Sequence, residues 1–128
     1  MSNVDLLKEG YRNFATGNID AVLATWNDDI VWEECTGFPY VEGDGVFVGP
    51  QNIVEGVLSQ LAKYIDGFNI EISEFVDGGD TVVMVGYYTG TWKETGHKFR
   101  AHASHTWSFK NGKVSKFIQA VDSAEMMK

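Results

Sequence analysis

A single cysteine in 128 residues leaves no disulfide framework within the chain, so Cys35 reads as a small buried side chain. Basic residues are scarce. Ten Lys and Arg stand against 18 Asp and Glu, a formal charge of −8 that repels phosphate backbones and anionic lipid, so neither nucleic acid nor a membrane is expected as partner. No apolar run approaches the roughly 18 residues that span a bilayer. The opening Met1-Ser2-Asn3-Val4-Asp5 also lacks the basic-then-apolar order of a signal peptide, which makes the cytoplasm the expected compartment. GxGxxG, a phosphate loop and GxSxG are all missing, which argues against nucleotide cofactors and serine hydrolysis. His102 and His105 are an odd number of residues apart and point to opposite strand faces, while His97 falls near a turn, so no metal and no cofactor is expected. Only Pro39 and Pro50 interrupt the backbone.

What is present fits one domain over residues 1–128: 44% hydrophobic and 22% charged side chains, with no linker, repeat or low-complexity stretch. Ser2 three residues before Asp5 opens a helix whose Val4, Leu7, Tyr11 and Phe14 recur at helical spacing up to Gly17. Asn18 caps a shorter helix carrying Ile19, Val22, Leu23 and Trp26, which completes a helical hairpin. Ile30 to Glu34 reads as a short strand and the glycine-rich stretch Thr36 to Gly49 as mostly loop. Pro50 starts a third helix that runs to about Asp66 along the stripe Val54, Val57, Leu58, Leu61 and Ile65. From Phe68 to Asp122, turn signals at Asp77-Gly78-Gly79-Asp80, Glu94-Thr95-Gly96-His97 and Lys110-Asn111-Gly112-Lys113 predict four antiparallel strands. The order is α+β: three N-terminal helices packed on a strongly curved antiparallel sheet.

The Asn111-Gly112 tip lets the register be computed, because a type I′ turn needs φ > 0 at both central positions. If Lys110 faces Lys113, then His105 faces Ile118, Ala103 faces Ala120 and Ala101 faces Asp122. The same reasoning at Thr95-Gly96 sets Gly86 opposite His105, Tyr88 opposite Ala103, Gly90 opposite Ala101 and Trp92 opposite Phe99. One face then combines a floor of small residues, Gly86, Gly90, Ala101, Ala103 and Ala120, with larger groups at its ends, Trp92, Trp107 and Ile118. Such a floor under a helical lid is a concave apolar ligand site, or a bed for close helix packing. Trp26, Trp32, Phe38 and Tyr40 are expected to wall it, or to be ordinary core. The two-residue register at Gly78-Gly79 would turn Ile70 and Ile72 outward, so a bulge is expected in that first strand. The opposite sheet face, with Val83, Val85, Tyr87, Ser104, Thr106 and Phe117, mixes polar and apolar groups and predicts a homodimer through it.

Three polar groups fall on the pocket face. Asp122, at the end of the last strand, would be a base near neutrality if partly buried, or a carboxylate capping the Ser123-Ala124-Glu125 turn if wet. His105, in an apolar run, is either a catalytic group or a hydrogen-bonded core residue. Tyr88 is a candidate donor to an oxyanion, or core packing. Glu33 and Glu34 are neighbours on a strand and cannot share one site, so at most one points inward.

The helical hairpin, the Gly49-Pro50 helix and a meander carrying Gly86-Tyr87-Tyr88-Thr89-Gly90-Thr91, His105-Thr106-Trp107 and Phe117 to Asp122 resemble the SnoaL-like polyketide cyclases. These belong to the ketosteroid-isomerase-like, or nuclear-transport-factor-2-like, superfamily. The resemblance covers nearly the whole chain and implies a cone-shaped alpha-beta roll. It also implies catalytic roles for Asp122, as acid/base, and for His105 in the pocket. Ala120 departs from the family, where an aromatic often stands two residues before the aspartate. The function implied is cofactor-free acid/base chemistry of isomerase, cyclase or hydratase type on an apolar, ring-containing small molecule. The alternatives are a non-catalytic binder of such a ligand and a dimeric scaffold of the same fold.

Overall fold

The computed structural model describes residues 2–35, 38–39, 41 and 43–128. Helix α1 (Asn3–Ala15) starts where the Ser2 hydroxyl accepts the Asp5 N–H at 3.1 Å, and α2 (Ile19–Leu23) starts where Asn18 accepts the Ala21 N–H. Strand β1 (Trp26–Glu33) follows at once, so the strand expected from Ile30 begins earlier and takes Trp26 from the second helix. Strand β2 (Val46–Val48) occupies part of the expected loop. The Pro50 helix is interrupted: α3 (Pro50–Ile53) passes through a π-helical turn, Val54–Leu58, into α4 (Ser59–Tyr64). That turn lies against Phe47, whose ring would be 2.3 Å from a Cβ at Gly56, so the helix can approach β2 only because residue 56 has no side chain. Strands β3 (Ile65–Asp77), β4 (Thr81–Trp92), β5 (Lys98–Lys110) and β6 (Lys113–Val121) make the meander, and α5 (Ser123–Met126) closes the chain.

The strands form one curved sheet in the order β2-β1-β6-β5-β4-β3, antiparallel throughout the meander as expected, with β1 running parallel to β6. The helices cover its concave side, giving the α+β fold read from the sequence. Among the described residues no helix is long and apolar enough to cross a membrane.

Register departs from expectation in two ways. At the β4–β5 turn the strands slip by two residues: Gly86 pairs with Ala103, Tyr88 with Ala101 and Met84 with His105. A slip of two leaves every side chain on its predicted face. The β5–β6 tip is the expected one, with Lys110 opposite Lys113 and positive φ at Asn111 (55°) and Gly112 (77°). Just beyond it a bulge between Ser108 and Phe109 inserts Ser115 as an unpaired residue, its hydroxyl bonded to the Ser108 carbonyl at 3.2 Å. One extra residue inverts the rest of the strand. His105 faces Gln119 instead of Ile118, Phe117 and Gln119 turn inward, and Ile118, Ala120 and Asp122 turn outward. The expected bulge in β3 is found between Ile72 and Glu74, and Ile70 thereby faces the concave side opposite Tyr88.

The floor of small residues is real but filled. Ile65 closes on Gly90, where a Cβ would lie 2.6 Å from its Cγ2, and the Glu71 carbonyl oxygen stands 2.0 Å from a Cβ at Gly86. Ala101 and Ala103 pack in one apolar cluster with Phe38, Trp92 and Met126, and the Trp92 indole N–H donates to the Met126 carbonyl at 2.6 Å. Close packing explains these small side chains.

Candidate functional site

The cavity lies at the other end of the concave face, roofed by α1 and the Pro50 helix. Leu7, Tyr11, Phe14, Trp26, Val57, Leu58 and Phe68 supply apolar wall, and Trp32, Phe38 and Trp107 close it. Its volume is about 70 Å³, small against the roughly 300–1,000 Å³ of small-ligand sites, so a ring-sized ligand needs the aromatic walls to move apart. Of the pocket residues expected from the sequence, Trp26, Trp32, Phe38, Tyr88, His105 and Trp107 line it. Gly86, Gly90, Trp92, Ala101 and Ala103 face inward but lie in the filled part of the core, and Ile118 and Ala120 face outward. Tyr40 is outside the described residues.

Asp122 is not at this site. It is exposed, follows the outward-turned end of β6, and its carboxylate accepts the Glu125 N–H at 3.1 Å as the N-cap of α5. The Ser115 bulge is the reason: without it Asp122 and His105 would share a face.

His105 is 3% exposed and held between two phenols. The Tyr11 hydroxyl lies 2.6 Å from Nδ1, and the Tyr88 hydroxyl bonds Nε2. Burial depresses the imidazole to a pKa of about 3, so it is neutral, with one N–H and one lone pair. The Trp107 indole N–H donates to the Tyr11 oxygen at 2.8 Å. Gln119 donates from Nε2 to the Tyr88 oxygen at 3.1 Å, an orientation fixed by its Oε1, which accepts the Cys35 N–H at 3.3 Å. Each phenol oxygen therefore already accepts one hydrogen bond from a nitrogen that can only donate. A neutral imidazole takes the proton of one phenol and gives its own N–H to the other, so one of the two phenols keeps its O–H unused. With the N–H on Nε2, that phenol is Tyr88.

Glu34 completes the polar end. It is 6% exposed, Oε1 accepts the Trp32 indole N–H at 2.5 Å, and Oε2 is buried with no hydrogen-bond partner among the described residues. Burial raises its pKa to about 7, partly offset by the Trp32 hydrogen bond. Burial also pushes the Tyr88 phenol well up, and the Glu34 charge pushes it further in the same direction. A carboxyl poised near neutrality, a neutral imidazole and an available phenol thus meet in an apolar chamber. Among the described residues no three His, Cys, Asp or Glu side chains gather closely enough to hold a metal ion.

Sequence reasoning left Glu34 unassigned between two faces and missed Gln119. The signal for Glu34 was present, since an inward Trp32 places residue 34 on the same side by strand alternation. Gln119 was hidden by the bulge.

A family model described as a SnoaL-like domain matches residues 7–117. The chain belongs to the SnoaL-like family. Among solved structures, this SnoaL-like chain is similar to an NTF2-like protein from Burkholderia thailandensis, at 28% identity and a TM-score of 0.92 over 99% of this chain and 95% of that one. An NTF2-like protein of unknown function from Burkholderia pseudomallei is 26% identical, with a TM-score of 0.88 over 99% and 96% of the two chains. TerC, co-crystallised with polyporic acid, shares the fold at 22% identity and a TM-score of 0.86 over 98% and 95%. A comparison with curated proteins gives no match.

Proposed function

We propose that the protein is a cofactor-free acid/base enzyme acting on an apolar, ring-containing small molecule, with Glu34 rather than Asp122 moving the proton. The observation that carries this reading is the buried Oε2 of Glu34, without a hydrogen-bond partner among the described residues, in a cavity walled mostly by aromatic and aliphatic side chains. As carboxylate, Glu34 takes a proton from carbon next to a carbonyl; the C–H electron pair becomes a C=C bond and the carbonyl oxygen takes the negative charge. Tyr88 O–H donates to that oxygen, and His105, held by Tyr11, keeps the phenol oriented. Glu34 then returns the proton to the same or another carbon, so the enzyme ends unchanged. Proton transfer, double-bond migration and aldol-type ring closure all use this one arrangement.

Deuterium exchange into enolisable cyclic ketones, followed by NMR, tests the reading. The expected exchange rate rises as pH passes through about 7, because the base must be ionised. Glu34→Gln should lower it by about 10²–10⁴, the usual worth of a general base, and Tyr88→Phe by a smaller factor. Exchange that survives Glu34→Gln at full rate would remove Glu34 from the mechanism; a non-catalytic ligand carrier would then be the better account of the cavity.

The active form we propose is a homodimer through the outer sheet face. Val76, Val83, Thr106 and Ile118 make one row across four strands on that face, with Val76 50% and Ile118 37% exposed in the single chain. Ile118→Glu should convert a dimer to monomer in sedimentation equilibrium, and an unaltered mass would place any interface elsewhere.

A further inference from the structure

A second, wider groove adjoins the cavity between α1, the Pro50 helix and β3. Six side chains line both, Tyr11, Phe14, Leu58, Leu61, Phe68 and Ile70, and form the threshold between them. The charge of this groove runs against that of the molecule. In a chain of −8 its lining holds Lys8, Arg12 and Lys93 against one acid, Asp66. Lys93 is engaged already, 3.8 Å from the Asp66 carboxylate and donating to the Ala62 carbonyl at 2.9 Å. The other two cations form no ion pair with any described residue. Lys8 and Arg12 are exposed one turn apart on α1; Lys8 lies 5.8 Å over the Phe75 ring, and the Arg12 guanidinium forms no ion pair or hydrogen bond with any described residue.

An apolar chamber whose adjoining groove carries two cations without an ion pair among the described residues fits an amphipathic anion. We propose that the ligand of this site carries an oxyanion group, carboxylate or phosphate, seated against Lys8 and Arg12, while its ring body passes the threshold into the cavity. This rests on the cavity being the ligand site, as the proposed function holds. The planar guanidinium supplies two parallel N–H donors for such a group and Lys8 a point charge. The field of two cations in an otherwise acidic surface also orients the approach, anionic end outward and ring first.

Calorimetric titration of the full chain with 2-naphthoate, 2-naphthyl phosphate and neutral 2-naphthamide tests the proposal without any turnover. The expected result is that at least one anion binds about tenfold tighter than the amide at low salt, the scale of one charge-assisted hydrogen bond at a wet site. That preference should shrink as salt is raised. Which anion leads distinguishes a carboxylate seat from a phosphate seat. Lys8→Gln with Arg12→Gln should abolish the preference and leave the amide affinity unchanged, a control that a misfolded variant could not meet. Equal affinity for amide and both anions, or a preference that survives the double variant, overturns the anion seat while leaving the cavity in place. No binding of any of the three overturns the cavity reading itself.

Discussion

Glu34→Gln should change the pH dependence of folding stability, opening a gap to wild type that grows by about 3 kcal/mol between about pH 4 and pH 8. The folded-state pKa of Glu34 is about 7 against an ordinary 4.5. Over that interval the unfolded chain has released the proton and the folded chain still holds it, so this residue makes stability fall as pH rises, and the fall is complete once pH passes about 7. His105 works in the opposite sense. Its folded pKa is about 3 against 6.5, so the unfolded chain binds the extra proton and stability rises with pH from about 3 to 6.5. In wild type the two slopes cancel where they overlap, between 4.5 and 6.5. Glutamine keeps the acceptor for the Trp32 indole but removes the titration, which exposes the rising limb of His105 alone. Urea unfolding at a series of pH values reads this directly. Wild-type and variant curves that stay parallel would mean that Glu34 ionises freely in the folded protein.

Gly86→Ala should cost about 3 kcal/mol, at the upper end of what overpacking does, because the clash is with backbone. A Cβ at residue 86 would stand 2.0 Å from the Glu71 carbonyl oxygen, on the strand whose bulge lies between Ile72 and Glu74. The neighbour is fixed in a sheet ladder and cannot swing aside as a flexible side chain would. The urea midpoint should fall with little change in slope. A cost below about 0.5 kcal/mol would show that β3 can withdraw, and would return Gly86 to the role of an open pocket floor.

These two residues also show how far the chain can be read without coordinates. Gly86 was assigned to the correct face because strand alternation is local, and a two-residue slip at the β4–β5 turn preserves it. Its purpose was misread. A glycine that admits a ligand and one that admits a neighbouring carbonyl look the same in sequence. Glu34 is legible, being two residues from an inward Trp32, while an unbroken ladder points Asp122 inward and the irregularity at Ser115 turns it out. The capping alternative for Asp122, open on the sequence, is what the structure contains. The type I′ tip at Asn111-Gly112 was correctly placed, and the error entered after it, at Ser115.

By itself the sequence determined the α+β order, the helix starts at Ser2, Asn18 and Pro50, the hairpin at Asn111-Gly112 and the inward face of β4 and β5, because each depends on contacts between near neighbours in the chain. Tertiary structure alone decided that Asp122 stays out of the cavity. That outcome depends on one unpaired residue in β6 and on β1 docking parallel beside it, and long-range pairing of this kind leaves no periodic trace in the chain.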